Sequence, residues 1–135
     1  MRNTAYNQHY VLNVLGGKEF LVGRKKNALG IDVKFTTAGG KYLTPIDLAA
    51  SEAEGHSVYE TNKAFSIQQD PYLRLDTKLY FRKNFRNASM EIALDLQNLT
   101  NHKNIFSQNY DEYSNTIVTE YQQGFFPIPS FKLTF

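Results

Sequence analysis

Residues 72–100 read YLRLDTKLYFRKNFRNASMEIALDLQNLT, and apolar and polar side chains alternate along both halves of this stretch. Such alternation predicts β-strands with one apolar and one polar face, because successive side chains of a strand point to opposite sides of a sheet. A short segment rich in Lys, Arg and Asn, Lys83–Ser89, separates the two halves. The stretch therefore predicts a β-hairpin with strands near Tyr72–Arg82 and Met90–Thr100.

One register of this hairpin suits both faces of the sheet. If Arg82 lies opposite Glu91, opposite charges meet on one face and apolar side chains meet on the other. The four pairs predicted by this register are Arg82–Glu91, Lys78–Asp95, Phe81–Ile92 and Leu79–Leu94. A slip by a single position would exchange the two faces of one strand, so the pattern fixes the register.

The same alternation recurs in three further segments, Tyr10–Phe20, Ala28–Ala38 and Phe125–Phe135. Each predicted strand has about 10 residues, which exceeds the usual 5–6 of soluble strands and is close to the 9–11 that cross a bilayer. The sequence therefore predicts an all-β fold of about five antiparallel strands that span a membrane. Alone, they would form an open piece of a larger β-barrel.

The connections between these strands alternate between short and long. Val22–Asn27 and Lys83–Ser89 are short, whereas Gly39–Pro71 and Asn101–Tyr121 are long. Outer-membrane barrels show this asymmetry, with short periplasmic turns and long extracellular loops. The long segments are predicted to be loops, apart from one or two helical turns at Pro45–Gly55 with Asp47 or Ser51 near the start.

The faces of the predicted strands divide into a lipid side and a lumen side. The side chains predicted to face lipid are Leu29, Ile31, Val33, Leu73, Leu75, Leu79, Phe81, Ile92, Leu94, Leu96, Phe131 and Leu133. The charge pairs predicted to face the lumen are Arg82 with Glu91 and Lys78 with Asp95. In the chain alone, the lipid side is expected to be an exposed apolar patch.

No catalytic or cofactor-binding set emerges from the sequence. The net charge is +2 with scattered basic residues, which argues against nucleic acid as a partner. There is no cysteine, and the three histidines lie far apart, so no metal site is predicted. Asp111 and Glu112 are predicted to lie at a solvated loop tip with nothing nearby to shift a pKa. The pairs Gly16–Gly17 and Gly39–Gly40 are predicted to accommodate the backbone at bends.

Several strings of residues resemble one family in order and spacing. LDLQNLTNHKN (94–104) and TEYQQGFFPIP (119–129), running into FKLTF (131–135), resemble the C-terminal end of TonB-dependent receptors of the Bacteroidetes type. LGGKEF (15–20) and TAGGKYLTPIDL (37–48) resemble the same family. The resemblance covers nearly the whole chain.

The resemblance implies a barrel of about twenty-two strands around an N-terminal plug. Such receptors import scarce ligands, namely siderophores, cobalamin or glycans, with energy from a TonB complex. The signal peptide, TonB box, plug and earlier strands are not found in this sequence, so a C-terminal fragment that cannot transport by itself is expected. The implied partners are outer-membrane lipid, the barrel-assembly machinery, the rest of the barrel and plug, and TonB through the missing N-terminal part.

The last strand resembles the signal that the outer-membrane assembly machinery reads, since Phe131, Leu133 and Phe135 alternate and the last residue is aromatic. The alternative is an ordinary amphipathic strand that ends in Phe. For the whole chain, the alternative function is that of a soluble lipocalin-like binding barrel. That alternative requires the apolar faces of the strands to pack inward.

Overall fold

The computed structural model describes residues 4–24 and 26–135. This part of the chain contains nine strands, one α-helix (α1, Leu48–Glu54) and a 3₁₀ turn at Thr61–Lys63. The strands are β1 (Val11–Val22), β2 (Asn27–Ala38), β3 (Tyr42–Leu43), β4 (Ile67–Gln68), β5 (Tyr72–Asn84), β6 (Ser89–Gln97), β7 (Ile105–Asp111), β8 (Thr116–Tyr121) and β9 (Phe126–Thr134).

The chain divides into two compact units, which are described separately. The first unit combines the described residues of Met1–Leu12 with Thr37–Tyr72 and Lys103–Gln122. The second unit combines Asn13–Thr36, Leu73–His102 and Gln123–Phe135. The second unit holds most of the five-stranded sheet, and the first holds the segments that the sequence predicted as long loops.

The sheet has the strand order β1-β2-β5-β6-β9. These are the five strands that the sequence predicts, and their bounds agree to within about three residues. The pairs β5–β6 and β6–β9 are antiparallel. The prediction of an all-β, antiparallel arrangement with little helix is confirmed.

The predicted register of the β5–β6 hairpin is confirmed at all four pairs. Strand β9 continues the same rows across the sheet, because it lies opposite β6 in an equally regular register. The resulting rows include an apolar one, Phe81–Ile92–Phe131, and a charged one, Arg82–Glu91–Lys132.

The two N-terminal strands of the sheet are neighbours, and they run antiparallel as well, since only four residues separate β1 from β2. The Thr36 hydroxyl donates a hydrogen bond of 2.9 Å to Asn13 Oδ1 across this pair. On the other side of β2, the Asn84 backbone N–H donates to Asn27 Oδ1 at 2.9 Å. The first bond shows that the polar faces of β1 and β2 coincide, and the second joins the start of β2 to the end of β5.

Helix α1 lies within the predicted segment, and Asp47 caps its N-terminus as expected. Asp47 Oδ1 accepts a hydrogen bond of 3.1 Å from the backbone N–H of Ala50, which is the usual N-cap bond. The helix ends at Gly55, which has φ +72° and donates its N–H to Ser51 O at 2.9 Å. Glycine suits this left-handed position because it has no Cβ.

The prediction that both long segments are loops apart from α1 is wrong. Strands β3 and β4 pair within the first segment, and β7 and β8 form a hairpin within the second. Strands β3 and β4 are too short for a period-two pattern to be seen. In β7 (IFSQNYD) and β8 (TIVTEY), polar side chains occupy both faces, so the strands lack an amphipathic signature.

Asn98 organises the reversal of the chain after β6. It has φ +47° and is 2 % exposed. Its side-chain amide donates to His102 O at 2.9 Å and to Gln123 O at 3.1 Å, and its Oδ1 accepts from the His102 N–H at 3.1 Å. One side chain therefore fixes the turn and ties it to the segment that enters β9.

We expect the substitution Asn98→Gly to lower the free energy of unfolding by about 1–3 kcal/mol, because it removes the hydrogen bonds that the buried Asn98 side chain makes to the backbone of His102 and Gln123. Asn98→Ala should cost about 1 kcal/mol more, since alanine is disfavoured at positive φ. Urea unfolding of the chain refolded in detergent micelles measures both. The exposed Thr134→Ala, at the far end of the β6–β9 pair, is the control, and equal stability of Asn98→Gly and Thr134→Ala would contradict this assignment.

Candidate functional site

Most of the charged side chains of the five-stranded sheet lie on one face, whereas Lys18 and Lys83 alternate onto the other. The face with most of the charges contains a concavity of about 610 Å³. The residues that line it are Leu15, Gly16, Gly17, Asp32, Val33, Lys34, Asp76, Thr77, Lys78, Asp95, Leu96 and Gln97. Four of the five strands contribute, and the lining holds carboxylates and ammonium groups in comparable number.

Arg82 connects three strands through two carboxylates. Its Nε donates to Glu91 Oε2 on β6 at 3.0 Å, and its Nη1 lies 3.6 Å from Glu19 Oε2 on β1. The Tyr80 hydroxyl donates to the same Glu19 oxygen at 2.8 Å. Glu19 is thus held from β5 across the intervening strand β2.

This reach across β2 is possible because Gly30 has no side chain. A Cβ at Gly30 would lie 2.1 Å from Tyr80 Cζ, so the tyrosine ring occupies the space above the glycine. Gly17 on β1 likewise leaves space for the Asp32 side chain of β2, because a Cβ at Gly17 would lie 2.2 Å from Asp32 Oδ1. The prediction that Gly16–Gly17 marks a bend is wrong, because both lie in the middle of β1.

Lys78 lies opposite Asp95 in the register, as predicted, but its ion pair is with a different carboxylate. Its Nζ lies 3.9 Å from Glu91 Oε1. The side chain leans along the strand, where Nζ lies 5.8 Å from the centre of the Tyr80 ring. The attraction of a cation to an aromatic face favours this direction. Of the predicted lumen charge pairs, Arg82–Glu91 is therefore a direct ion pair and Lys78–Asp95 shares only its register.

A second polar cluster at the other end of β5 was not predicted. Arg74 Nε donates to Asp76 Oδ1 at 2.7 Å, and Arg74 Nη2 donates to Gln97 Oε1 at 3.1 Å. Asp76 Oδ1 also accepts the backbone N–H of Asn98 at 2.9 Å. The alternation of opposite charges at positions 74 and 76 was the signal that could have revealed this cluster, because both side chains share one face.

The opposite face of the sheet is predominantly apolar and exposed. Nine of the side chains predicted to face lipid are among the exposed large hydrophobic residues, with Ile92 at 52 % and Phe131 at 65 %. The other seven of these nine are Leu29, Ile31, Val33, Leu79, Phe81, Leu94 and Leu133. Leu73, Leu75 and Leu96 are partly exposed. The expected apolar patch is present, and patches of this extent mark interaction or membrane surfaces.

The residues of the predicted assembly signal are all exposed. Leu133 belongs to β9, and Phe135 lies beyond its end with 94 % of its surface exposed. Phe131 and Leu133 continue the apolar rows of the sheet, since they lie opposite Ile92 and Met90.

The histidines lie in separate surroundings. His9 Nε2 lies 3.1 Å from the Tyr42 hydroxyl, His56 Nδ1 lies 3.1 Å from Glu54 O, and the backbone of His102 binds Asn98. Within residues 4–24 and 26–135, no group of three or more His, Cys, Asp or Glu is placed to hold a metal ion.

The prediction that nothing shifts the pKa of Asp111 is wrong. The Ser114 hydroxyl donates to Asp111 Oδ2 at 2.7 Å, and this bond, with backbone N–H donors, holds the pKa of Asp111 below its usual value. A lowered pKa suits a turn-stabilising carboxylate and disfavours a general acid.

No family model, curated protein or solved structure matches this chain. Among the helices in the described part of the chain, none is both long and apolar enough to cross a membrane.

The glycine under Tyr80 gives a direct test of the polar network. Gly30→Ala should lower the free energy of unfolding by about 1–3 kcal/mol, because the new methyl group must displace the Tyr80 ring from Glu19. Gly16→Ala on the neighbouring strand is the control, since nothing lies within 4 Å of a Cβ there. Urea unfolding in detergent micelles measures both variants. A loss of equal size in the two would show that Gly30 has no special role.

Proposed function

We propose that this chain is the C-terminal strand segment of a TonB-dependent outer-membrane receptor. The observation that carries the proposal is the sidedness of the five-stranded sheet. Glu19, Arg82 and Glu91 form a cross-strand network on one face, and the opposite face is predominantly apolar and exposed. A transmembrane barrel requires this arrangement, with polar residues toward the lumen and apolar residues toward lipid.

The alternative, a soluble lipocalin-like barrel, requires the reverse sidedness. Such a barrel packs its apolar side chains inside and its charges outside. In the described residues, the buried hydrophobic set is small and consists of Ala28, Ala38, Ala93 and Tyr110. The large aliphatic and aromatic side chains of the sheet are outside this set, which disfavours a soluble barrel with an apolar interior.

The edges of the sheet support a place within a longer barrel. Strands β1 and β9 each have a neighbour in the sheet on one side. In a lipid environment, every unpaired backbone group on the other side would cost several kcal/mol. The proposed partners of these edges are the remaining strands of the parent barrel.

The proposed role of the segment is to close the barrel and to supply extracellular structure. The parent receptor would take up a scarce ligand of the siderophore, cobalamin or glycan class, with the plug and the TonB contact in its N-terminal part. In this proposal the segment resides in the outer membrane. The exposed Phe131, Leu133 and Phe135 would be the anchors recognised by the assembly machinery through strand addition.

Adjacent residues of β9 on opposite faces provide a test of the membrane assignment. Phe131→Arg in the complete protein that carries this chain should place a charge in lipid, at about 2–4 kcal/mol near the midplane. Ser130→Arg places the same side chain on the polar face and should be tolerated. Heat-modifiability on gels of purified outer membranes measures the folded amount of each variant.

A lipid-facing surface and a water-facing surface predict different outcomes for Phe131→Arg and Ser130→Arg. On a water-exposed surface, Phe131→Arg would be harmless or would improve solubility, since the ring is already 65 % exposed. Equal folded amounts of both variants, or recovery of the unsubstituted protein in the soluble fraction, would reject the membrane assignment. Leu79→Arg and Leu94→Arg on β5 and β6 extend the test and should behave like Phe131→Arg.

The topology gives a second prediction. With β9 ending in the periplasm, the turn after β5 is periplasmic and the β7–β8 turn is extracellular. Tyr113→Cys, at a fully exposed position in the β7–β8 turn, should react with a membrane-impermeant thiol reagent on intact cells. Arg86→Cys, in the turn between β5 and β6, should react only after the outer membrane is opened. The reverse labelling would invert the topology.

A further inference from the structure

The first unit contains a cavity of about 570 Å³ that no part of the proposed barrel function uses. Its size falls within the range of small-molecule sites, about 300–1,000 Å³. Its lining includes Tyr59, Ala64, Phe65, Phe106, Gln108 and Asn109. All of them belong to the first unit.

The lining is uncharged. Four aromatic rings contribute to it, together with aliphatic, hydroxyl and amide side chains. Aromatic faces bind flat apolar surfaces, whereas a few hydroxyl and amide groups orient a ligand by hydrogen bonds. A carboxylate or ammonium ligand would lose its hydration in this cavity without gaining an opposite charge. The lining therefore selects an uncharged ligand.

The backbone that carries one wall is rigid. Ile46 and Tyr59 form an antiparallel bridge, and the Asp47 N–H donates to Val58 O at 2.8 Å beside it. The fully buried Ser51 hydroxyl donates to Asp47 O at 2.6 Å and accepts the Val58 N–H at 2.9 Å. These bonds hold the wall in one conformation, so little ordering is left for a ligand to impose.

The opposite wall of the cavity is hydrogen-bonded to the segment that carries the first wall. It is formed by β7, and the Tyr110 N–H on this strand donates to the Ser57 hydroxyl at 2.9 Å. Phe106 on β7 lines the cavity although 70 % of its surface is exposed. A ring held open to solvent at the mouth of a cavity is available for stacking.

Phe65 is held in an unusual conformation at the edge of the cavity. Its φ is +55°, a region that bulky residues rarely adopt. Its backbone N–H donates to Thr44 Oγ1 at 3.1 Å, which helps to hold it there. Backbone conformations of this kind concentrate at binding sites, where the surrounding structure maintains them.

We propose that this cavity binds an uncharged small molecule whose ring has apolar faces and hydroxyl groups at its edge. Stacking on Phe106 and Tyr59 would hold the faces. Gln108 and Asn109 are adjacent in β7 and point to opposite faces, so one of the two amides would reach the edge of the ring, with the hydrogen-bonding capacity that remains beside its bond to Thr119 or to Ser107. Phenolic compounds and sugar rings both have this chemistry. The proposal goes beyond the receptor assignment and does not depend on it, because every lining residue lies in one unit.

Saturation-transfer NMR on the complete chain in detergent micelles tests the proposal with three probes. 4-Hydroxybenzamide is a neutral phenol, 4-hydroxybenzoate is its anionic counterpart of nearly equal shape, and methyl β-glucopyranoside is a neutral sugar. At least one neutral probe should bind saturably, and the benzoate should bind about tenfold more weakly than the benzamide or not at all. Binding of the benzamide identifies a phenolic ligand class, and binding of the glucoside alone identifies a sugar class.

Variants separate the cavity from the micelle surface. Phe106→Ala should weaken binding about fivefold through the loss of stacking. Ala64→Trp should abolish binding by filling the cavity, while it removes no packed side chain. Tyr113→Ala removes an aromatic ring that is fully exposed in the β7–β8 turn and does not line the cavity, so it should bind like the unsubstituted chain.

The proposal is overturned if no neutral probe binds saturably, or if Ala64→Trp leaves binding unchanged. It is also overturned if the benzoate binds as well as the benzamide, since the uncharged lining would then not govern selection. None of these three results bears on the receptor assignment, which the Phe131→Arg and Ser130→Arg pair tests on the second unit.

Discussion

The position of Arg82 between two carboxylates is the contact around which the polar face of the sheet is arranged. Glu91 and Glu19 lie on β6 and β1, so one guanidinium links strands from both sides of β5. Arginine suits this role because its planar group presents several donors in fixed directions. Once Arg82 and Tyr80 occupy the polar face, the period of two obliges Phe81 and Leu79 to point the other way. The polar network and the exposed apolar side chains therefore lie on opposite faces of β5. Turning β5 over would separate Arg82 and Tyr80 from the carboxylates that they contact.

Much of the five-stranded sheet could be predicted because its strands are long and amphipathic. In β5 and β6, charges and apolar residues constrain the register independently, and both constraints give the same answer. The contacts within the polar network were harder to predict from the sequence. The ion pair of Lys78 depends on a lean along the strand toward the Tyr80 ring, and a register specifies only the position of Cα atoms. Gly17 and Gly30 leave room for Asp32 and Tyr80, which reach over them from neighbouring strands. This fit depends on how two strands are paired, so the sequence of one strand does not reveal it.

The elements that escaped prediction share a physical property. Strands β7 and β8 carry polar residues on both faces, and β3 and β4 form only two register pairs. Such strands are stabilised by their neighbours in space, as the bond from Tyr110 to Ser57 illustrates. Asn98 is a similar case. Its sequence, QNLT, indicates a turn, but its side-chain hydrogen bonds run to His102 and Gln123, and the second of these is distant in sequence.

The sidedness of the sheet also bears on how the chain gains stability. In a soluble domain, burial of large apolar side chains supplies most of the favourable free energy of folding. Here the large apolar side chains of the sheet remain exposed, and the residues buried in it are small or polar. The cross-strand ion pairs cannot replace that contribution, because pairs this accessible to solvent contribute little. In the proposed setting, a lipid bilayer would solvate the apolar face and the neighbouring strands of a closed barrel would pair with β1 and β9. The proposal therefore offers a source for both contributions that the sheet does not make by itself.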